Sequence, residues 1–411
     1  MQMTTAETHT TLSFLELENQ YGAHNYHPLP VVLSRGLGVY VWDVEGKKYY
    51  DFLSGYSALN QGHCHPKIIC SLIRQAQKLT LTSRAFHNDQ FAEFAQYITG
   101  YFGYDKVLPM NTGVEAVETA IKLARRWGYD VKGIQENKAR IVVFENNFHG
   151  RSSTVISFSS DAASYTGFGP FMPGFDLIPY NDLDALAKVL QNEDVAAILI
   201  EPIQGEAGVV VPNDGYLSKV FEYCKRANVL FIGDEIQTGL GRTGKMLACD
   251  HENVRPDILI LGKALSGGVI PVSAVLADDE IMLTIKPGEH GSTYGGNPLA
   301  CAVAVTALTV LKEENMTENA AQMGAYFRKG LKDINSPLIE LIRGKGLLNA
   351  VVVKKIRPDV AWDLCIELKE NGLLAKPTHG NKIRFAPPLS ITKSQLDECL
   401  EIIADSLTVV K

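Results

Sequence analysis

Three features are scarce in this chain of 411 residues: long apolar runs, clusters of positive charge and closely spaced cysteines. No apolar run approaches the roughly 20 residues that a membrane-spanning helix needs. Lysine and arginine number 39 against 46 aspartate and glutamate residues, giving a formal net charge of -7 without any local basic run. We therefore expect neither a membrane nor a nucleic acid as a partner.

The seven cysteines are dispersed along the chain without a Cys-x-x-Cys pair, which fits reduced thiols better than a disulfide framework. The opening stretch MQMTTAETHT has neither a hydrophobic signal core nor an arginine-rich leader, so we expect a cytoplasmic protein. His63, Cys64 and His65 are metal-ligand residue types, but three neighbours in an extended loop cannot all reach one ion. We expect structural roles for them and no metal site.

Apolar residues make up 46% of the chain and charged residues 21%, which is enough apolar material for two globular domains. Two short runs, Val229–Ile232 and Ile258–Leu261, do not alternate with polar residues. Both are therefore predicted to be strands buried on both faces of a parallel sheet. A third such run, Ala196–Ile200, ends at Glu201.

Asp234 and Lys263 follow two of these runs, and ligands of open α/β sheets lie outside the carboxyl ends of the strands. A pyridoxal phosphate enzyme needs such a pair, because a lysine amine condenses with the cofactor aldehyde and a carboxylate partners the pyridinium nitrogen. Charged residues are also common at strand ends. Position alone therefore leaves open whether both are ordinary loop charges.

The stretch Asn111–Glu115 predicts a helix start that could bind an anion. Thr112 is a natural N-cap, Glu115 completes a capping box, and Gly113 would let an anion approach the free N–H groups. Most such caps bind nothing. In the same way, Phe148 could stack on a flat ring and Arg151 could clamp a carboxylate, although without the neighbouring motifs a core phenylalanine and a surface arginine are the favoured interpretation.

Elsewhere the pattern predicts helices over Ser13–Gln20, Pro66–Leu79 and Asp89–Tyr101, with a proline-rich loop over residues 22–36. Glu206 lies in a glycine-bearing loop, and Ser292 and Thr293 lie in a glycine-rich one. From about Thr317 the chain alternates helix and strand again, with Arg384 in a strand segment. We expect a second, smaller α/β layer there.

Six motifs in order, NTGVEA, FHGR, EPIQGEAG, DEIQTGLGRTG, LGKALSGG and HGSTYGGNPLA, resemble those of the class III aminotransferases of fold type I. The resemblance covers essentially the whole chain, and stretches such as IMLTIKPGEHGSTYGGNPL resemble the ornithine aminotransferase subfamily in particular. It implies an N-terminal segment (1–55), a large domain with a mostly parallel sheet (56–312) and a small α/β domain (313–411). His149 departs from the tryptophan expected in animal members.

By this resemblance, pyridoxal 5'-phosphate is the cofactor, Lys263 binds it and moves a proton, and Asp234 keeps its ring nitrogen protonated. The other implied cofactor contacts are a stacking ring, a partner for the phenolic oxygen and main-chain or hydroxyl groups for the phosphate: Phe148, Gln237, Gly113, Val114, Ser292 and Thr293. Thr293, with Ser292 near it, would reach the phosphate of a neighbouring subunit. A homodimer, or a higher homo-oligomer, is therefore implied.

The resemblance also implies the reaction: the δ-amine of ornithine passes to 2-oxoglutarate, giving glutamate and a semialdehyde that cyclises to pyrroline-5-carboxylate, a step of proline biosynthesis. Arg151 would grip the α-carboxylate of ornithine, Tyr26 its α-amine, and Tyr56 would shape the pocket between them. Glu206 would pair with Arg384 in the first half-reaction and release it for 2-oxoglutarate in the second.

Acetylornithine and 4-aminobutyrate aminotransferases share the cofactor motifs and are the alternative readings. Tyr26 and Tyr56 argue against them, because those enzymes need not bind a free α-amine at that depth. A catalytically silent relative would be expected to lose Lys263 or Asp234. A racemase or decarboxylase has no use for an exchange between Glu206 and Arg384.

Overall fold

The computed structural model describes residues 10–410. Residues 1–9 lie outside the described residues; they open the predicted N-terminal segment and carry most of the stretch on which the expectation of no leader sequence rests. The helices are α1 (Thr11–Tyr21), α2 (Ser54–Ser57), α3 (Pro66–Ala76), α4 (Asp89–Phe102), α5 (Gly113–Asp130), α6 (Ser153–Ile156), α7 (Ala162–Tyr165), α8 (Leu183–Val189), α9 (Tyr216–Arg226), α10 (Asp279–Met282), α11 (Pro298–Glu313), α12 (Met316–Asp333), α13 (Val360–Glu370) and α14 (Lys393–Val409).

The strands are β1 (Leu33–Leu37), β2 (Tyr40–Asp43), β3 (Lys48–Asp51), β4 (Lys106–Met110), β5 (Arg140–Phe144), β6 (Phe175–Ile178), β7 (Val195–Ile200), β8 (Leu230–Asp234), β9 (Ile258–Leu261), β10 (Ser273–Ala277), β11 (Ile339–Lys345), β12 (Leu348–Val353), β13 (Leu373–Leu374), β14 (Lys376–Thr378) and β15 (Lys382–Phe385). Two short 3-10 helices cover Ala248–Glu252 and Lys263–Ser266.

The central sheet has seven strands in the order β4-β10-β9-β8-β7-β5-β6. Strand β10 is antiparallel to both of its neighbours, whereas β9, β8, β7, β5 and β6 pair in parallel. Successive residues of one strand enter different apolar clusters: Ile258 and Ile260 pack with α5, and Leu259 and Leu261 pack with α11. The continuous apolar runs therefore mark strands that are buried on both faces, as predicted.

Strands β7, β8 and β9 are neighbours and run in the same direction, so their carboxyl ends meet at one edge of the sheet. Glu201 directly follows β7, Asp234 is the last residue of β8, and Lys263 comes two residues after β9. The three charged residues that the sequence places at strand ends therefore lie at the same edge of the sheet.

Two four-stranded sheets complete the fold, β1-β2-β3-β13 and β11-β12-β15-β14. In the first, β3 from the N-terminal part pairs in parallel with β13 from the C-terminal part, with Tyr50 opposite Leu373. The predicted domain boundaries remain a prediction. Across residues 10–410, no helix combines the length and the apolar content that crossing a membrane requires.

The proline-rich loop predicted over residues 22–36 is wrong in its last part, because β1 begins at Leu33. This strand is mostly exposed and follows prolines, so its composition carries little strand signal. It is held by antiparallel pairing with β2, and the guanidinium of Arg35 lies 4.5 Å from the ring centre of Trp42. The helix predicted to end at Leu79 ends at Ala76 instead.

Arg242 is fully buried where the loop after β8 meets the C-terminal part of the chain. Its guanidinium donates to Oδ1 of Asn60 at 2.6 and 3.1 Å and to the main-chain oxygens of Leu347 at 3.1 Å and Pro387 at 2.6 Å. Burial lowers the pKa of Arg242 to about 9. The acceptors belong to three separate segments of the chain, and the Arg242 side chain holds these segments together.

Arg242→Met is expected to lower the free energy of unfolding by roughly 3 kcal/mol or more, because three buried acceptors would lose their donor. Urea unfolding followed by circular dichroism measures the change. Arg226→Met removes an exposed arginine that pairs with Glu222 on α9, and its unfolding midpoint should stay at the parent value. Equal midpoints for the two variants would contradict a joining role for Arg242.

Candidate active site

A cleft of about 210 Å³ opens at the carboxyl ends of β7, β8 and β9. It brings together nine of the residues named from the sequence and adds Gly150, Ile236 and Thr238. The nine are Gly113, Val114, Phe148, His149, Glu201, Glu206, Asp234, Gln237 and Lys263. A second cavity of about 380 Å³ adjoins the cleft and shares Phe148, His149, Gly150 and Glu206 with it.

Lys263 lies in the cleft wall with a left-handed backbone, φ 42°, which a non-glycine residue rarely adopts. The turn that follows holds it, since the hydroxyl of Ser266 donates to the Lys263 main-chain oxygen at 2.8 Å. Burial lowers the pKa of Lys263, against the opposing charges of Glu206 and Asp234. A lowered pKa makes the amine a better nucleophile and base near neutral pH.

Asp234 and His149 form a buried pair in which His149 Nδ1 lies 2.6 Å from Asp234 Oδ2. The other oxygen of Asp234 accepts the main-chain N–H of Ile236 at 3.1 Å. Burial acts to lower the pKa of His149, but the hydrogen bond and charge of Asp234, with the charge of Glu201, raise it above its ordinary value. The pair therefore favours the protonated, charged form of His149. The sequence showed His149 only as a departure from the family pattern, and no local signal indicated this contact.

The N-terminus of α5 forms part of the cleft wall through Gly113 and Val114. Thr112 and Glu115 make the predicted capping box, in which the Glu115 carboxylate accepts the main-chain N–H of Thr112 at 2.9 Å. A Cβ at Gly113 would lie 3.1 Å from Ile236, and one at Gly150, whose φ is +122°, would lie 2.7 Å from Val114. Both glycines thus keep the backbone at the helix start close to the cleft.

Ser292 lies beside this helix start, because its hydroxyl accepts Nδ2 of Asn111 at 2.9 Å. Thr293 and Tyr294 are exposed on the same loop. His290 anchors the loop to α5, with Nε2 2.8 Å from the Thr119 hydroxyl and Nδ1 2.9 Å from Lys122 Nζ. The loop is therefore held in place while Thr293 remains exposed.

Glu206 and Arg384 form an ion pair at 2.6 Å on the other side of the cleft. Burial acts to raise the pKa of Glu206, but the charge and hydrogen bond of Arg384 lower it below its usual value. Gln237 Nε2 lies 3.3 Å from both Glu206 Oε1 and the main-chain oxygen of Tyr56. The structure therefore places Glu206 and Arg384 in contact, as the resemblance implied.

Tyr56 belongs to a left-handed turn, since Ser54, Gly55, Tyr56 and Ser57 have φ between 50° and 72°. Tyr56 was named from the sequence only for its role in the pocket, and this backbone conformation was not predicted. The Arg384 guanidinium lies 4.9 Å from the centre of the Tyr56 ring. Burial raises the pKa of Tyr56, and the charges of Arg384, Glu206, Tyr26 and Arg151 also act on it.

Tyr26 and Arg151 are exposed in the described protomer, and 69% of Tyr26 is accessible. The Arg151 guanidinium lies 5.7 Å from the ring centre of Phe148, which ties it to the cleft wall. The histidines of the GHCHP stretch have other partners: His63 Nε2 lies 2.7 Å from Asp51 and His65 Nε2 lies 3.1 Å from Glu314. Within residues 10–410, no three His, Cys, Asp or Glu side chains converge on a point that could hold a metal ion.

Pyridoxal phosphate fits this cleft. An amine with a lowered pKa, a carboxylate at a strand end and a helix N-terminus line one space. Among the described residues, Oε1 of Gln237 is buried without a hydrogen-bond partner, as expected for an amide that awaits a polar group of a ligand. A Cβ at Gly205 would lie 1.4 Å from that oxygen, so only glycine leaves room for the amide.

The family model of the class III aminotransferases matches residues 21–407. The chain belongs to the class III aminotransferases. As a member of this family it is a pyridoxal phosphate-dependent transaminase, and its mixed α/β fold with a mostly parallel sheet is the fold of its solved relatives. The sequence-based prediction of family, fold and cofactor is confirmed.

Three relatives show how similar this class III aminotransferase is to known ones. The rat protein "Ornithine aminotransferase, mitochondrial" is 64% identical over 388 residues, which cover 94% of this chain and 88% of the relative. A structure of the ornithine aminotransferase of Toxoplasma gondii, with partial occupancy of pyridoxal phosphate, superposes with a TM-score of 0.97 at 51% identity, covering 98% of this chain and 95% of the other. A structure of the acetylornithine aminotransferase of Elizabethkingia anophelis superposes with a TM-score of 0.89 at 58% identity, covering 97% and 99%.

Proposed function

We propose that this class III aminotransferase transfers the δ-amino group of L-ornithine to 2-oxoglutarate, giving glutamate-5-semialdehyde, which cyclises to pyrroline-5-carboxylate, and glutamate. The observation that carries the proposal is the ion pair of Glu206 with Arg384 beside Tyr56. The rat and Toxoplasma relatives, which bear the name of this activity, support it over nearly the whole chain.

The ion pair explains how the δ-amine can be presented. With Glu206 bound to it, Arg384 is neutralised and does not attract the α-carboxylate of ornithine. Arg151 then holds that carboxylate and Tyr26 the α-amine, at the exposed side of the cleft. The δ-amine is thereby directed inward to Lys263.

The second half-reaction requires the reverse orientation, because 2-oxoglutarate must bring its α-carbon to the cofactor. Its α-carboxylate takes the place of Glu206 on Arg384. Opening a buried ion pair is costly unless another anion replaces the lost partner, so the dicarboxylate itself drives the exchange. Gln237, which also contacts Glu206, remains as a partner for the displaced carboxylate.

The chain's own groups carry the proton chemistry. When bound, pyridoxal phosphate supplies a ring that withdraws electrons from the substrate carbon. Lys263 Nζ would take a proton from that carbon and deliver it to the cofactor carbon derived from the aldehyde, and its lowered pKa permits both transfers. Asp234, which is hydrogen-bonded to His149, would partner the ring nitrogen and keep a proton on it. Phe148 would pack on the ring, and the N–H groups of Gly113 and Val114 would bind the phosphate.

The active unit is proposed to be a homodimer. Thr293 is exposed on a loop that is itself anchored to α5, so it can contact the phosphate of a second copy. Tyr26 and Arg151 are likewise exposed in one protomer. We also propose a cytoplasmic location, which the seven unpaired cysteines support, although the rat relative is named as mitochondrial. A role in proline biosynthesis is proposed from the product of the reaction.

Acetylornithine aminotransferase is the second candidate, because the Elizabethkingia relative of that name is 58% identical. Mixing the purified protein with ornithine, N-acetylornithine or 4-aminobutyrate, each with 2-oxoglutarate, separates the candidates. Ornithine should be the preferred donor, and its product should be trapped by 2-aminobenzaldehyde. A clear preference for N-acetylornithine would overturn the proposal.

Glu206→Ala is expected to lower the preference for ornithine over glutamate by about tenfold to a hundredfold. Without Glu206, Arg384 is free to bind α-carboxylates, and glutamate then presents its α-amine to Lys263. Rates of cofactor amination by each donor in single-turnover experiments give the ratio. Glu145→Ala, which removes an exposed carboxylate just after β5, should keep the parent ratio. An unchanged ratio in Glu206→Ala would place selectivity elsewhere in the cleft.

A further inference from the structure

Glu201 is a buried carboxylate in the cleft wall to which the proposed reaction gives no role. Its Oε1 accepts the main-chain N–H of Phe148 at 2.8 Å, and its Oε2 accepts that of Gly205 at 3.4 Å. The carboxylate thus connects two loops that follow different strands, β5 and β7. Its own main-chain oxygen is fixed by the Tyr180 hydroxyl at 3.1 Å.

Each of the two loops contributes one residue to the proposed active site. The first presents Phe148 to the cofactor ring. The second leads from Gly205 directly to Glu206. Two further hydrogen bonds hold this loop. The Thr378 hydroxyl donates to the Glu206 main-chain oxygen at 2.8 Å. The Arg343 guanidinium donates to the Gly208 main-chain oxygen at 2.7 Å. Glu201 therefore connects the loop of Phe148, which would stack on the cofactor ring, to the loop of Glu206, which pairs with Arg384.

Five titratable groups face Glu201 from the elements around it: His149, Tyr180, Glu206, Asp234 and Lys263. Burial, and then the charges of Asp234 and Glu206, raise the pKa of Glu201 to about 7, while His149 and the Phe148 N–H act in the opposite sense. Above that pH the ionised carboxylate accepts both N–H groups. It also favours the protonated states of His149 and Lys263.

We propose that Glu201 is a positioning residue that fastens the Phe148 loop to the Glu206 loop and holds a negative charge beside Lys263. The proposal rests on family membership and on the geometry of the two loops, not on the identity of the amino donor, so it and the proposed function can fail separately.

Three variants of the holoenzyme test the proposal. Glu201→Gln keeps the size and removes the charge, and Glu201→Asp keeps the charge and shortens the reach. Glu235→Gln is the matched control, since Glu235 is also a buried carboxylate beside Asp234, accepts the Cys249 N–H at 2.8 Å and is not part of the cleft wall. Two quantities are measured: deuterium exchange of residues 146–150 and 204–208, and the pH midpoint of the absorption band of the lysine-bound cofactor.

Both Glu201 variants should speed exchange of the Phe148 and Gly205 amides about tenfold, the effect of one lost hydrogen bond to a charged group. Only Glu201→Gln should move the absorption midpoint to lower pH, because only it removes the charge that stabilises a protonated nitrogen at Lys263. Glu235→Gln should change neither quantity. Parent-like exchange in Glu201→Gln, equal effects in the control, or equal midpoints in Glu201→Gln and Glu201→Asp would overturn the proposal.

The parent holoenzyme provides a measurement that does not depend on a variant folding. Protonation of Glu201 weakens its hold on both N–H groups. Exchange of the Phe148 and Gly205 amides, corrected for the intrinsic pH dependence, should therefore become faster as the pH falls from about 8 to 6. Corrected rates that do not change over this range would also overturn the proposal.

Discussion

Lys263→Ala is expected to bind pyridoxal phosphate without a covalent link and to lose turnover by on the order of ten-thousandfold. One substitution removes both the nucleophile that binds the cofactor and the base that moves the substrate proton, and general acid–base catalysis alone contributes about a hundredfold to ten-thousandfold. No other lysine lines the cleft in the described part of the chain. An added small amine should restore part of the proton transfer but no covalent link to the chain.

Borohydride reduction followed by peptide mass spectrometry checks the assignment. The parent should carry the cofactor on the peptide that contains Lys263, and the variant should carry none. Lys132→Ala is the control, because Lys132 is a partly buried lysine whose Nζ donates to the main-chain oxygen of Val195 at 2.7 Å, at the start of β7 and away from the cleft. A reduced adduct on another lysine of Lys263→Ala would show that the anchor was misassigned.

The sequence predicted the central strands because burial on both faces leaves a clear mark. Both Val229–Ile232 and Ile258–Leu261 lack polar residues, and alternate side chains of β9 enter two different clusters. The chemistry at the ends of these strands followed from parallel pairing, which puts Asp234 and Lys263 at one edge. The N-terminal cap of α5 was predictable as well, because a capping box is a local signal between Thr112 and Glu115.

Contacts between distant segments could not be predicted from pattern alone. β1 is an edge strand whose pairing, rather than its composition, defines it. The left-handed turn at Tyr56 has no signature beyond a single glycine, because tertiary contacts impose its backbone conformation. The pairing of His149 with Asp234 joins residues 85 positions apart, and only the neighbourhood of β5, β7 and β8 brings them together.

The residues proposed to distinguish substrates were named from the resemblance and not from physical pattern. Glu206 and Arg384 are 178 positions apart, and nothing in either local stretch indicates that they touch. Tyr26 and Arg151 are exposed in the described chain, so their proposed roles depend on contacts with a substrate. These assignments therefore depend most on the experiments with ornithine, N-acetylornithine and Glu206→Ala.

Asp234→Asn is expected to retain the fold and the covalent cofactor but to lose about a thousandfold or more in turnover. An amide is nearly the same size as a carboxylate and can still accept the Ile236 N–H, so packing at the end of β8 should survive. It carries no negative charge, and it therefore cannot hold a proton on the ring nitrogen or keep His149 charged. A thousandfold loss corresponds to roughly 4 kcal/mol of transition-state stabilisation, the upper end of what one preorganised electrostatic contact contributes.

The decisive measurement for Asp234→Asn is the rate of proton removal from deuterated and ordinary ornithine in single turnovers. The isotope effect should increase, because removal of the proton becomes the slowest step when the ring withdraws electrons poorly. Asp257→Asn is the control: Asp257 precedes β9, pairs with Lys225 at 2.5 Å and accepts the Phe231 N–H at 2.9 Å, away from the cleft. Near-parent turnover in Asp234→Asn would refute its role, whereas equal losses in both variants would show only that the sheet had been disturbed.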